Sequence, residues 1–261
     1  MASTNHLKSC SIIGQRVDCV DYDSAAKNVI ARAENKLGGY VCCSTVNMIM
    51  EGHDDSKFRN IVNSASLITP DGMPLAWGMK LQGLKDAVRV TGPLLMLQIC
   101  QIASSRNIPI GLYGATEEVL ILLQMNLLRE YPDLEIAYKY SPPFRPLTEE
   151  EDKYITKEIL ISGVKILFIG LGTPKQVRWA AEHKQKLYKT VLICVGAAFD
   201  FHAGVKAEAP DWMQRFALAW LYRLFQEPKR LWRRYLYHNP RFIFSFVLQL
   251  FGLKKYRLKG R

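Results

Sequence analysis

The chain has 261 residues, 49% of them hydrophobic, which excludes a disordered polypeptide and leaves room for one full domain with an appendage. Its net charge of +11 is unevenly placed: residues 1–210 carry 23 Lys+Arg against 22 Asp+Glu, residues 211–261 carry 12 against 2. Cations interleaved with Trp212, Phe216, Trp220, Tyr222, Trp232 and Tyr235 suit an anionic, greasy surface such as acidic lipid, and no recognised nucleic-acid module accompanies them.

In chain order, the first ten residues contain no apolar h-region, and the six cysteines form no CxxC pair. Both point to a reducing, cytoplasmic compartment. Five segments then repeat one pattern of short apolar run, small or polar turn, and helix. They are Tyr40–Ser44 before Thr45-Val-Asn47, Ala65–Ile68 before Thr69-Pro-Asp-Gly72, and Pro109–Tyr113 before Gly114-Ala-Thr116. Lys165–Ile169 before Gly170-Leu-Gly-Thr-Pro174 and Thr190–Val195 before Gly196-Ala-Ala-Phe-Asp200 complete the set. Short continuous apolar strands alternating with helices predict an α/β fold, a Rossmann-like parallel sheet with helices on both faces. Ligands of such sheets bind beyond the carboxyl ends of the strands, so function is sought in these turns.

Tyr140–Asp152 interrupts the pattern with three prolines and reads as a surface loop or a substrate lid, ending at a helix capped by Thr148. From Pro210 the composition turns basic and aromatic, which divides the chain into a core at 1–209 and a basic, aromatic helical appendage at 210–261. Trp212, Phe216, Trp220 and Leu224 recur every four residues and predict one helical stripe. Phe242–Leu253 is about a dozen residues long where roughly 20 are needed to span a bilayer, so it is expected to lie on a membrane, with Lys254, Lys255, Arg257, Lys259 and Arg261 at the headgroups.

The turn residues leave alternatives open when taken singly. Gly170-Leu-Gly-Thr-Pro174 is either a backbone cradle for an anion at a helix start or a tight strand-to-helix connection. Asp71, between Pro70 and Pro74, is a presented carboxylate or an Asx turn. Arg89 is an anion clamp or a surface arginine, and Asp200 a ligand or a helix cap. Neither GxGxxG nor GxxxxGK[ST] occurs, which disfavours nicotinamide dinucleotides and P-loop ATP hydrolysis. The histidines are scattered and no GxSxG or HExxH is present, so a mechanism with Asp as base fits better than one with His.

Together and in order, these turns resemble the WecG/TagA/CpsF bacterial glycosyltransferases, glycosyltransferase family 26. The resemblance is carried by Ser44-Thr-Val-Asn47, Thr69-Pro-Asp-Gly72, Arg89-Val-Thr-Gly92, Leu112-Tyr-Gly114 and Gly170-Leu-Gly-Thr-Pro-x-Gln176. It continues through Val195-Gly-Ala-Ala-Phe-Asp-Phe-x-Ala-Gly204, Ala209-Pro-x-Trp-Met-Gln214, Trp220-Leu-Tyr-Arg-Leu224 and Glu227-Pro-x-Arg-Leu-Trp-Arg-Arg-Tyr235.

The resemblance implies an inverting transfer, without metal or cofactor, from a UDP-sugar to a polyprenyl-diphosphate-linked glycan acceptor. The sugar would be N-acetylmannosamine or a hexose such as glucose, and the setting cell-surface or extracellular polysaccharide assembly at the inner face of the cell membrane. Asp71 would be the general base, Thr45 and Asn47 would position the sugar and acceptor, and Arg89 would stabilise the leaving diphosphate. Tyr113, Gly114, Gly170, Gly172, Thr173, Pro174, Gln176 and Asp200 would form the nucleotide-sugar pocket. Arg215, Arg223, Arg230, Arg233 and Arg234 would serve the membrane or the acceptor. A homo-oligomer stays open, and a non-catalytic nucleotide-sugar-binding or scaffold protein of the same fold is the competing reading. Val177, Glu208 and Ala219 depart from the family pattern of Glu, Arg and Glu there, which suggests a linked exchange of charges altering donor or acceptor choice.

Overall fold

A computed structural model describes residues 7–256. A hairpin of β1 (Ser9–Ile12) and β2 (Gln15–Asp18) opens the chain, followed by α1 (Tyr22–Glu34), β3 (Gly39–Ser44), α2 (Val46–Asp54) and α3 (Ser56–Asn63). Next come β4 (Leu67–Pro70), α4 (Met73–Leu81), α5 (Gly92–Ser105), β5 (Ile110–Gly114), α6 (Glu117–Glu130) and β6 (Ile136–Tyr140). The core ends with α7 (Glu149–Ile161), β7 (Ile166–Gly170), α8 (Lys175–His183), β8 (Val191–Cys194) and α9 (Ala198–His202). Beyond it lie α10 (Asp211–Arg215), α11 (Ala219–Gln226) and α12 (Pro228–Leu250).

Six strands form one sheet in the order β4-β3-β8-β7-β5-β6, every pairing parallel. Alternate residues of each strand point to opposite faces, so Val41 and Cys43 join one buried cluster while Tyr40 and Cys42 join another. The first cluster packs the sheet against α1, α5, α6 and α9, the second against α2, α3, α7 and α8. Both faces are covered, as the continuous apolar runs predict. β6 has no such run: it is an edge strand, partly exposed at every residue.

A third cluster lies off the sheet. Ile12, Ile13 and Val17 of the hairpin, Ile49 and Met50 of α2, and Leu75 and Met79 of α4 enclose Phe242 and Phe246 of α12. The hairpin turn places Ile13 and Gly14 at φ +50° and +82°, costly for a β-branched residue. It is held from outside: Ile13 N–H donates to Gln249 Oε1 at 2.6 Å, and Asn63 Nδ2 donates to the Gly14 carbonyl at 3.0 Å.

The tail differs from its expected form in two ways. The stripe from Trp212 to Leu224 is broken, because Ala217 adopts φ +59° and Leu218 N–H turns back to the Met213 carbonyl (2.7 Å), closing α10 before α11 begins. Phe242–Leu253 divides lengthwise: Phe242 and Phe246 are core, whereas Ile243, Phe244, Val247, Phe251 and Leu253 are exposed. Arg257, Lys259 and Arg261 of the expected cation cluster lie outside the described residues. Among the described residues no helix is long and apolar enough to cross a membrane.

Candidate active site

Because all six strands are parallel, their carboxyl ends share one rim, and a cleft of about 780 Å³ opens there under the tail helices. Its floor is built on Asp71. The Asp71 N–H donates to the Ser44 carbonyl (2.8 Å), tying the turn after β4 to the end of β3. Arg89 Nε donates to the Asp71 carbonyl at 2.8 Å, and its Nη2 lies 4.0 Å from Oδ1. The other carboxylate oxygen accepts from the Gly92 N–H at 3.2 Å, at the start of α5. Thr91 caps that helix and is itself held by the Tyr22 hydroxyl at 3.0 Å.

Burial pushes the Asp71 carboxyl above its ordinary range. Arg89 and the Gly92 N–H oppose the shift, and the nearby Glu208 charge adds to it. A carboxylate so placed is a stronger base at neutral pH than an exposed aspartate.

Thr45 and Asn47 stand beside Asp71 in the cleft wall, where Thr45 caps α2 by accepting from Met48 N–H (3.3 Å). Gln176, buried on α8, lines the same wall next to Gly196, and its Oε1 has no hydrogen-bond partner among the described residues. An unpaired buried acceptor beside an open cleft is available to a ligand's N–H or O–H. Among the described residues no group of three or more His, Cys, Asp or Glu side chains could hold a metal ion.

The glycines separate into two kinds. A Cβ on Gly114 would lie 2.7 Å from the Gly170 backbone and one on Gly170 would lie 2.6 Å from the Phe199 ring, so both are required by packing. Gly172, at φ +76° with nothing within 4 Å of a built Cβ, faces the cleft and is placed to let backbone approach a ligand. Thr173 is also in the wall. Tyr113, Gly114 and Pro174 do not line it: Tyr113 is buried in the second cluster, its ring centroid 4.5 Å from that of Trp179.

The tail supplies the roof. Arg223, Arg230 and Arg234 line the cleft, and Arg233 lines a side chamber of about 380 Å³ that shares Asn47, Thr173, Arg230 and Arg234 with it. Arg215 lines neither. Burial pushes the Arg234 guanidinium down from its ordinary value. Its Nε has no hydrogen-bond partner among the described residues. Asp200 is engaged by Lys206 Nζ at 2.7 Å, which also reaches Glu227 at 3.2 Å, and Glu227 pairs with Arg230. Burial of Glu227 is outweighed by these two cations, which hold its carboxyl below the usual range. This chain of charges fastens α9 to the start of α12.

One contact was not legible beforehand. Gln214 of α10 accepts from Arg89 Nη1 (2.9 Å) while its Nε2 donates to the Ala209 carbonyl at 2.8 Å. The tail therefore grips the arginine that holds Asp71. Of the departures, Glu208 and Ala219 share the cleft wall, but Val177 is fully buried in the second cluster, so the structure brings only two of the three together. Phe144, in the loop before α7, is 88% exposed and also borders the cleft.

The sequence model of the Glycosyl transferase WecG/TagA/CpsF family matches residues 10–256. The chain is 27% identical over 203 residues to the N-acetylglucosaminyldiphosphoundecaprenol N-acetyl-beta-D-mannosaminyltransferase of Bacillus subtilis strain 168, covering 78% of this chain and 77% of that protein. Proteins of the same description from Staphylococcus aureus strains MW2 and NCTC 8325 are 28% identical over 198 residues, covering 76% of this chain and 75% of each. With motifs, sheet and family match in agreement, the chain belongs to the WecG/TagA/CpsF family of glycosyl transferases.

Proposed function

We propose that this glycosyltransferase moves N-acetylmannosamine, or a hexose such as glucose, from a UDP-sugar to a polyprenyl-diphosphate-linked acceptor, with inversion and without a metal. The observation that carries the reading is Asp71: a carboxyl raised by burial, fixed by Arg89 and Gly92, on the floor of a cleft roofed by arginines. Asp71 takes the proton from the acceptor hydroxyl as that oxygen attacks the anomeric carbon. Inversion follows from one displacement, with UDP departing on the opposite side. The negative charge growing on the diphosphate needs cations already in place, and Arg89 with the roof arginines lies around the same cleft. Thr45, Asn47 and Gln176 present hydrogen-bonding groups for the sugar. The relatives' names, which specify an undecaprenol-diphosphate acceptor, support the acceptor class.

Work on a lipid-linked acceptor sets the protein at a membrane face. The exposed apolar side of α12 and the tail's 12 cations against 2 acids support peripheral docking at acidic lipid on the inner side. The test is a donor panel with a short-chain polyprenyl-diphosphate-sugar acceptor, reading UDP release, product mass and anomeric configuration. Transfer from one donor with inversion supports the proposal. Tight UDP-sugar binding with no transfer to any lipid-diphosphate acceptor would instead favour a binding or scaffold protein.

A further inference from the structure

Besides polar and cationic groups, the cleft has an apolar stretch of wall. Met73 and Pro74 at the start of α4 line it, as do Phe242 and Ile243 of α12. The two helices are held side by side where Phe246 packs on Gly78, so closely that a Cβ there would lie 2.9 Å from the ring. Each keeps apolar side chains in the open as it leaves the cleft. On α4, Trp77 and Leu81 follow Pro74 by about one and two turns and are 45% and 68% exposed. On α12, Val247 and Leu250 follow Ile243 in the same way, 41% and 39% exposed. Lys80 stands near the end of α4 and Lys254 and Lys255 just beyond α12.

One cleft thus combines cationic groups, Arg89, Arg223 and Arg234, with an apolar stretch of wall carried by a helix pair. That polarity matches an amphiphile with an anionic head and a hydrocarbon tail, because each part finds the surroundings it needs. Building on the acceptor class proposed above, we infer that the first isoprene units of the acceptor lie along a track between α4 and α12. The diphosphate sits among the arginines, the chain passes Pro74 and Ile243, and it leaves past Trp77 and Val247 toward the bilayer. The lysines at the far end meet acidic headgroups. The track fixes where the acceptor's head is held relative to Asp71.

The test compares two acceptors with the same diphosphate-sugar head, one on a short alkyl chain and one on a longer isoprenyl chain. Both are used below their aggregation concentration and without vesicles, and transfer is read by product mass. Wild-type kcat/KM is expected to be at least about tenfold higher for the longer chain, the effect of burying a modest apolar area. Ile243→Asp and Trp77→Asp, at exposed positions and checked for a native melting temperature, should each bring that ratio toward one. A wild-type ratio near one, or an undiminished ratio in both variants, would overturn the track. If the variants lost only vesicle binding while the ratio held, the surface would be a membrane contact and the inference would fail. No transfer to either acceptor would remove the acceptor reading itself, and the track with it.

Discussion

Phe244 and Phe246 stand two positions apart on α12, and the structure assigns them opposite fates. Phe246 is 7% exposed, stacked on Phe242 with ring centroids 5.8 Å apart and pressed against Gly78. Replacing such a phenylalanine by alanine removes its transfer free energy and leaves a cavity, which costs about 3–5 kcal/mol. Folded proteins are stable by only about 5–15 kcal/mol, so Phe246→Ala should lower the melting temperature by roughly 10 °C and shift the urea midpoint at unchanged m-value. Phe244 is 67% exposed, and Phe244→Ala should stay within about 0.5 kcal/mol of wild type. It should instead weaken sedimentation with anionic vesicles, because it removes apolar area available to the interface. Denaturation and vesicle co-sedimentation on the same preparations read both effects. Wild-type stability in Phe246→Ala would refute the assignment of this half of α12 to the core. Truncation after Tyr237 should likewise expose the third cluster, which holds Phe242 and Phe246, and yield an unstable protein.

Three further outcomes follow from the site. Gln214→Ala removes a hydrogen bond to a charged group worth about 1.5–3 kcal/mol, so turnover should fall roughly 10- to 100-fold while UDP-sugar affinity is largely kept, measured by steady-state kinetics and calorimetry. Because burial raises the Asp71 pKa, the acid limb of kcat/KM should lie above the ordinary aspartate value of 3.8, with activity rising as pH increases through it. A limb at or below that value in a pH–rate profile would contradict the raised base. Gly170→Ala should destabilise the fold by meeting Phe199 at 2.6 Å, whereas Gly172→Ala meets no neighbouring atom but must hold a left-handed φ of +76°, so it should cost about 1 kcal/mol of stability and also weaken UDP-sugar binding, compared by thermal melting and ligand titration.

Much of the body is legible in sequence because β3, β5, β7 and β8 are buried on both sides and therefore read as unbroken apolar runs. β6 is not, since an edge strand with Tyr138 and Lys139 half-exposed carries no such run. The hairpin turn at Ile13-Gly14 lacks the usual Asn-Gly signal because its conformation is imposed by Gln249 and Asn63 from distant parts of the chain. The glycine turns look alike in sequence, and only the approach of Gly114 to Gly170 and of Gly170 to Phe199 separates packing from cradle. Four-residue spacing in the tail ignores the left-handed Ala217, which breaks the stripe. Gln214 stands in one of the motifs of the resemblance, but its role shows only in its contact with Arg89, 125 residues away.

The central claim is that Asp71 is the base, and Asp71→Asn tests it most directly. Asparagine keeps the shape and an oxygen for the Gly92 N–H but cannot accept the acceptor's proton. Single-turnover transfer should fall by about 10²–10⁴ while UDP-sugar binding stays within a few-fold of wild type. Because burial disfavours the charged form, the variant should also melt no lower than wild type at neutral pH. Transfer at the wild-type rate in Asp71→Asn would contradict the account.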